Sequence, residues 1–256
     1  MIKLKTDEQI GLMAESGKVT GRILYELEKL VRPGATTKDI DRFVEEAILA
    51  EGMKPTFKGY NGFPANACVS VNEELVHGIP DEARVLKEGD IVSVDIGITH
   101  KGWVSDAART YAVGTVSETA ERLIRAAKES FFESLKVCRA GHRLTDIGHA
   151  IQTHVEAEGF SVVLDYVGHG IGRHMHEDPQ VKNYGEPGKG PMLAKGMALA
   201  IEPMINEGVA AVKVLSDGWT VATEDGKLAA HYENTVIVTD AEPLVITLYE
   251  GDERDV

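Results

Sequence analysis

The sequence predicts an α/β protein in which two similar halves share a central sheet with helices outside. Three observations carry this. Segments of helical periodicity precede β-branched, strand-like segments; that order restarts after residue 117; and one constant register links the two runs. The first helix is opened by Thr6 and Gln9, spaced as a capping box in which each side chain satisfies a backbone N–H near the other. Ile10, Met13, Gly17, Leu24, Leu27 and Val31 then recur at helical spacing, and Pro33-Gly34 ends the run. A second helix is predicted from Thr37 to Ala50, with Ile40, Phe43, Val44, Ala47 and Ile48 inward and Gly52 closing it. The stretches ACVSVN, DIVSVDIGIT and WVSDAARTYAV follow as strands. Ser117 is placed to cap the next helix.

From there the pattern repeats. Arg32, Gly34, Asp39, Ile40, Ala50, Glu51 and Gly52 recur as Arg139, Gly141, Asp146, Ile147, Ala157, Glu158 and Gly159, each 107 residues on. The same offset carries Gly89 to Gly196 and Asp95 to Glu202. A register kept across helix, loop and strand marks an internal duplication. The expected organisation is a single domain over residues 1–256, with halves at roughly 1–115 and 116–256 and no low-complexity linker between them.

Composition narrows the function classes. A net charge of −14 argues against nucleic acid or an anionic membrane as the main partner, since phosphate binding needs basic patches. Two cysteines, Cys68 and Cys138, cannot make a secreted disulfide framework, which favours a reducing compartment. The start, MIKLKTDEQIG, lacks the apolar core of a signal peptide, and no later apolar run approaches membrane-spanning length. A soluble cytoplasmic protein is the expectation.

The chemistry is signalled by acidic residues in strand positions. Asp95, Asp106, Glu202 and Glu233 each interrupt an apolar or β-branched run: IVSVDIGIT, GWVSDAART, MALAIEPMI and HYENTVIV. A carboxylate half-buried in a sheet is costly unless its charge is compensated. If the turn after DIVSVDIGIT centres on His100-Lys101, Asp95 faces Asp106 across a hairpin, a pairing that a divalent cation would relieve. Singly, Glu202 and Glu233 read more readily as ordinary strand-end carboxylates. Together with the aspartates and one imidazole they form an oxygen-rich donor set. Such a set favours Mn²⁺, Fe²⁺, Co²⁺ or a catalytic Zn²⁺ over a thiolate zinc site. Four carboxylates exceed the need of one ion, so two ions with shared ligands are expected.

The stretch VGHGIGRHMHEDP carries His169, His174 and His176. Its glycines mimic a dinucleotide-binding turn, but HEDP leaves no room for the helix whose N-terminus would hold a phosphate. Nor is it HExxH, because position 180 is Gln. The glycines instead allow a sharp bend that presents imidazoles to a cleft. His77, in VHGIP, reads alone as a structural loop residue. His231 shares a strand face with Glu233 and is a candidate to support it, whereas His100, His142, His149 and His154 read as turn or helix-surface residues. Trp219, Phe57, Tyr60 and Phe63 suit a core or a pocket equally.

The segments CVSVNEELVHGIP, DIVSVDIG with VSDAART, DYVGHGIGRHMHEDP, MALAIEPM and HYENTVIVT resemble type I methionine aminopeptidases over nearly the whole chain. The resemblance implies the pita-bread fold: duplicated α/β halves about a pseudo-two-fold axis, with a central antiparallel sheet covered by helices. It also implies hydrolytic removal of the initiator methionine by a pair of divalent ions. By motif, Asp95, Asp106 and Glu233 would hold one ion, and Asp106, His169, Glu202 and Glu233 the other. Glu202 would shuttle the proton, His77 would meet the scissile amide or leaving nitrogen, and His176 the substrate carbonyl. Tyr60, Phe63, Cys68, Met175 and Trp219 would build the methionine pocket. The implied partners are nascent polypeptide N-termini, with the ribosome as the expected place of encounter and a monomer as the expected state. Departures from the family's bacterial pattern are Phe57 for cysteine, Phe63 for tyrosine, Met175 for phenylalanine and Gly97 for threonine. They touch pocket shape and the surroundings of the ions, and none removes a ligand. The chain also lacks the N-terminal zinc-binding extension of longer forms.

Overall fold

The computed structural model describes residues 1–249. Helix α1 (Asp7–Leu27) opens on the Thr6/Gln9 capping box, and α2 (Thr37–Ala50) opens on an equivalent Thr36/Asp39 pair. Helix α3 spans Glu118–Leu135 with Ser117 as its N-cap, and α4 spans Leu144–Ala157. Helix α1 is shorter than its apolar period suggests. It ends at Leu27, and Leu30 and Val31 fold back to donate their N–H groups to the Leu27 carbonyl. Val31 still reaches the core, as a turn residue rather than a helical one.

The helices lie against a nine-stranded sheet whose pairings are all antiparallel. At its centre the Ile91–His100 and Trp103–Ala112 hairpin joins the Glu233–Ile237 strand, followed by Ala198–Ile201, Gly168–Gly170 and Glu177–Val181. Cys68–Val71 pairs with the outer side of Ile91–His100. Each half buries its own apolar cluster. Ile23, Leu24, Leu27, Ile40, Val44 and Ile48 of α1 and α2 pack on Val92, Val94 and Ile96. Leu123, Phe131, Ile147 and Ile151 of α3 and α4 pack on Leu199, Ile201 and Val236. Full burial of one such side chain stabilises by about 1.5–3 kcal/mol, so each amphipathic helix is fixed by its apolar stripe.

The duplication is visible atom by atom. Helices α2 and α4 begin and end at positions 107 residues apart. The isolated bridges Thr36–Val85 and Arg143–Met192 keep that spacing. So do the hydrogen bonds from Gly34 N–H to Leu86 O (2.9 Å) and from Gly141 N–H to Leu193 O (3.1 Å). In the central sheet the halves meet along a seam where Glu233 faces Ala108 and Asn234 faces Ala107, and a second pairing joins Glu74–Val76 to Val221–Thr223. Arg109 stitches the seam, donating to Glu233 O at 2.7 Å and to Asn234 Oδ1 at 2.9 Å. No helix among the described residues is long and apolar enough to cross a membrane.

Candidate metal centre and substrate pocket

The hairpin register differs from the sequence expectation by two residues. Lys101 (φ 49°) and Gly102 (φ 78°) form the turn, so His100 pairs with Trp103. Asp95 therefore faces Ala108, and Asp106 faces Gly97. Both φ values are positive, and the glycine supplies this conformation at its second position, as primed hairpin turns require. Even-numbered slips keep side chains on the same face, so the two aspartates remain neighbours, now diagonal, and their carboxyls are close enough to hydrogen-bond.

The corrected register explains how the site has room. Cys68, Asp95, Ala108 and Glu233 face one another in a single row across four strands. The small, fully buried Ala108 between two carboxylates leaves open the space that a larger side chain would fill. On the far side of the seam, His169 faces Ala200. Its Nδ1 lies 2.9 Å from the Gly170 carbonyl oxygen, which can only accept, so Nδ1 carries the proton and Nε2 presents a lone pair. That Nε2 is 3.5 Å from Glu202 Oε1 and 3.8 Å from Asp106 Oδ2.

Without a counter-charge every one of these groups is electrostatically out of place. Burial raises the Asp95 carboxyl to about 7. It lifts Asp106, Glu202 and Glu233 well above the carboxylate range, with the other carboxylates adding to each. Burial pushes His169 down to about 3, helped by His176. Asp95 Oδ1, Asp106 Oδ1, Glu233 Oε1 and His231 Nε2 are buried with no hydrogen-bond partner among the described residues. A divalent cation removes both defects at once, which anions facing anions cannot do for one another. Two donor groups converge tightly enough to take an ion: Asp106, His169 and Glu233, and Asp95, His231 and Glu233. The residues present fit divalent metal.

His231 is more central than its sequence position suggested. It is 1 % exposed, and its Nε2 sits 3.7 Å from Glu233 Oε2 and 3.8 Å from Glu202 Oε2. The only sequence signal was its alternation with Glu233.

The cluster forms part of the wall of a cavity of about 200 Å³. Tyr60, Phe63, Cys68, Met175 and Trp219 all line it, together with His77 and His176. Phe63 and Trp219 meet edge to face at 5.2 Å. Burial, then the charge of Asp95, raises the Cys68 thiol, so it lines the cavity as a neutral group. The Tyr60 hydroxyl lies 2.8 Å from His176 Nδ1. His77 sits at φ 60°, a conformation a non-glycine residue adopts at a cost, and burial followed by His176 lowers its pKa.

Two departures from the bacterial pattern prove to be one feature. A Cβ added at Gly97 would lie 2.6 Å from Phe57 Cε1, so the large ring at 57 occupies the volume a side chain at 97 would need. Tyr166, Val76 and Met204 also line the cavity; they lie within the quoted segments but had been given no role. Asp41 was missed as well. Its buried carboxylate accepts the N–H groups of Asn66 (2.7 Å) and Ala67 (3.1 Å), fixing the approach to Cys68. His100, His142, His149, His154 and His174 are absent from the cavity wall.

These features define a metallopeptidase-like centre, and comparison with known proteins agrees. The pattern of metallopeptidase family M24 matches residues 11–240. The chain belongs to this family, and its duplicated α/β architecture is the family's pita-bread fold. It is 55 % identical to the methionine aminopeptidase of Clostridium acetobutylicum, over 98 % of this chain and all of that one. It is 51 % identical to methionine aminopeptidase 1 of Bacillus subtilis, over 94 % of this chain and 96 % of that protein. The crystal structure of the Thermotoga maritima methionine aminopeptidase superposes with a TM-score of 0.96 at 47 % identity, covering 97 % of this chain and all of that one.

Proposed function

We propose that this protein is a methionine aminopeptidase that hydrolytically removes the initiator methionine from nascent proteins and peptides, preferring a small second residue. One observation supports this above the others: a carboxylate–imidazole cluster and an apolar wall of Phe63, Met175 and Trp219 line one pocket. The reading takes the chain as one catalytic domain, a monomer acting in the cytoplasm on N-termini as they leave the ribosome.

In this reading Asp95, Asp106 and Glu233 would hold one divalent ion, and Asp106, His169, Glu202 and Glu233 the other, with Co²⁺, Mn²⁺, Fe²⁺ or Zn²⁺ all suited to the donors. When bound, such ions supply Lewis-acid polarisation and a nucleophilic water near neutral pH. The protein's own groups do the rest. Glu202, whose carboxylate lies in the cluster 3.5 Å from His169 Nε2, would take the proton released by the water and pass it on. His176 is kept neutral by burial. With its Nδ1 accepting from the Tyr60 hydroxyl, its Nε2–H is free to donate to the substrate carbonyl as negative charge develops there. His77, also held neutral, assists the leaving nitrogen. The apolar wall of Phe63, Met175 and Trp219 takes the methionine side chain, and the free amino terminus lies at the carboxylate cluster, which restricts cleavage to chain ends.

Steady-state rates on short peptides with Mn²⁺ or Co²⁺ supplied test this. Met-Ala and Met-Gly peptides are expected to be cut at least tenfold faster than Met-Ile or Met-Lys. Norleucine at the first position should still be accepted, because such a change in an apolar pocket costs only about 1–3 kcal/mol. Faster cleavage of Lys- or Asp-initiated peptides would overturn the assignment, and faster cleavage of an Xaa-Pro bond would move the protein to a different branch of the family.

A further inference from the structure

The loop from Ile171 to Glu177 that brings Met175 and His176 to the cavity is held from behind by one buried ion pair. Lys5 Nζ donates to Glu177 Oε2 at 2.9 Å, with the two side chains only 3 % and 8 % exposed. The other carboxylate oxygen, Oε1, accepts the backbone N–H groups of Arg173 at 2.9 Å and His174 at 3.2 Å. One carboxylate thus grips the loop at two points before His176 and, through its own backbone, immediately after it.

Lys5 is itself anchored. Its backbone N–H donates to Gly196 O at 2.7 Å, and its ammonium makes a second hydrogen bond to Lys3 O at 3.0 Å. Gly196 leads into the Ala198–Ile201 strand, which ends beside Glu202. The N-terminal segment therefore connects the strand leading to one functional residue with the loop presenting another. The contact is close enough to dictate sequence: a Cβ at Gly172 would lie 2.6 Å from Lys5 Cε and 2.8 Å from Glu177 Oε1. This accounts for the last glycine of GHGIG, which the metal centre leaves unexplained. Lysine and glutamate are almost never buried unless paired. Such a pair adds little net stability but is costly to leave half-made, which suits it to selecting one loop conformation.

We infer that Lys5, acting through Glu177, is a positioning residue that sets His176 for catalysis. The inference rests on the role proposed above for His176. Lys5→Met, which keeps the stem and removes the charge, is expected to lower kcat on a Met-Ala peptide at least tenfold, since a misplacement of about 1 Å can cost 10²-fold. KM should stay within threefold and bound Mn²⁺ should be unchanged. Lys5→Arg should retain at least a third of wild-type kcat. In a His176→Ala background Lys5→Met should cost less than twofold, and in metal-free protein it should shift the His176 imidazole ¹⁵N resonances while leaving those of His77 in place. Unchanged kcat in Lys5→Met, or an equal loss in the His176→Ala background, would overturn the inference. Should Lys5→Met not fold, Glu177→Gln is read by the same criteria. Wild-type protein inactive on the peptide would refute the proposed function, whereas active wild type with unaffected Lys5→Met refutes only this inference.

Discussion

The first half of the chain presents its carboxylates on a continuous hairpin, whereas the second half presents them on strands held apart by an insertion. Ile91–His100 turns directly into Trp103–Ala112 through Lys101-Gly102, and Asp95 and Asp106 both ride on that hairpin. The equivalent strands of the second half, Ala198–Ile201 and Glu233–Ile237, are separated by residues that form short strands of two further sheets. That intervening stretch brings Met204, Trp219 and His231 to the cavity. The difference separates two jobs that a single description of the pocket would merge. The shared scaffold faces carboxylates across a seam, and the inserted segment of one half adds Met204, Trp219 and His231 to a wall that Tyr60, Phe63 and Cys68 of the other half complete.

The largest expected effect comes from removing one carboxylate on either side of the seam. Asp106→Ala and Glu233→Ala should each abolish peptide cleavage and lower metal content measured on purified protein, because each belongs to both proposed ligand sets. Near-normal turnover in one of them, with Mn²⁺ or Co²⁺ supplied, would show that the halves do not contribute equally. His77→Ala and His176→Ala should keep the metal and lose rate by roughly 10²–10⁴.

Much of this arrangement was legible in the sequence. Carboxylates in apolar strands are rare enough that Asp95, Asp106, Glu202 and Glu233 announced themselves, and the constant offset of Gly34, Asp39 and Gly52 exposed the duplication. The hairpin register was misplaced because His100, Lys101 and Gly102 offer two turn centres, and only backbone sign at Lys101 and Gly102 decides between them. The coupling of Phe57 to Gly97 was hidden because it depends on a contact between residues forty positions apart. Lys5 and Asp41 were silent for a related reason. A charged residue on an N-terminal segment or a helix reads as solvated until its buried partner is known.

A smaller effect concerns pH and again compares the halves. The unfolded Asp95 carboxyl titrates near its ordinary 3.8 and the folded one at about 7, so between these values the metal-free folded chain holds a proton that the unfolded chain has lost. Its contribution to stability therefore falls as pH rises through that window. Asp106, Glu202 and Glu233 shift in the same direction. His169 and His231, lowered from 6.5 to about 3, act oppositely, costing stability as pH falls below 6.5. The trends oppose each other below 6.5, and above it the carboxylates act alone. The unfolding free energy of metal-free protein from urea titrations should decline from about pH 6.5 to about 8, by up to about 1.4 kcal/mol per pH unit for each proton involved. Saturating divalent metal should flatten the slope. Asp95→Asn in the first half and Glu202→Gln in the second should each reduce it, and a slope altered by only one would assign the strain to that half. A flat profile in metal-free wild type would count against carboxylates held protonated by burial.

The smallest effect tests the duplication away from the site. Gly34 and Gly141 lie at φ 91° and 93°, and an added Cβ meets nothing within 4 Å at either position. Each donates its N–H across the turn, to Leu86 and Leu193, and each precedes a helix whose entry is fixed by an aspartate. Asp39 accepts the Thr36 N–H at 2.9 Å, and Asp146 accepts the Arg143 N–H at 2.8 Å. With no steric penalty, the cost of alanine is the backbone conformation alone, about 1–2 kcal/mol. Gly34→Ala and Gly141→Ala should therefore destabilise equally, to within about 0.5 kcal/mol, should add in the double variant because the sites share no partners, and should leave kcat unchanged. Chemical denaturation of the three variants measures this. A gap of more than about 1 kcal/mol between the two single variants would mean that the halves share a backbone trace without sharing the energetics of their turns. Such a gap has ready sources: the Thr36 hydroxyl also caps α2 by accepting the Asp39 N–H at 3.0 Å, a contact for which arginine at 143 has no acceptor, whereas Arg143 instead donates to Gly190 O at 3.0 Å.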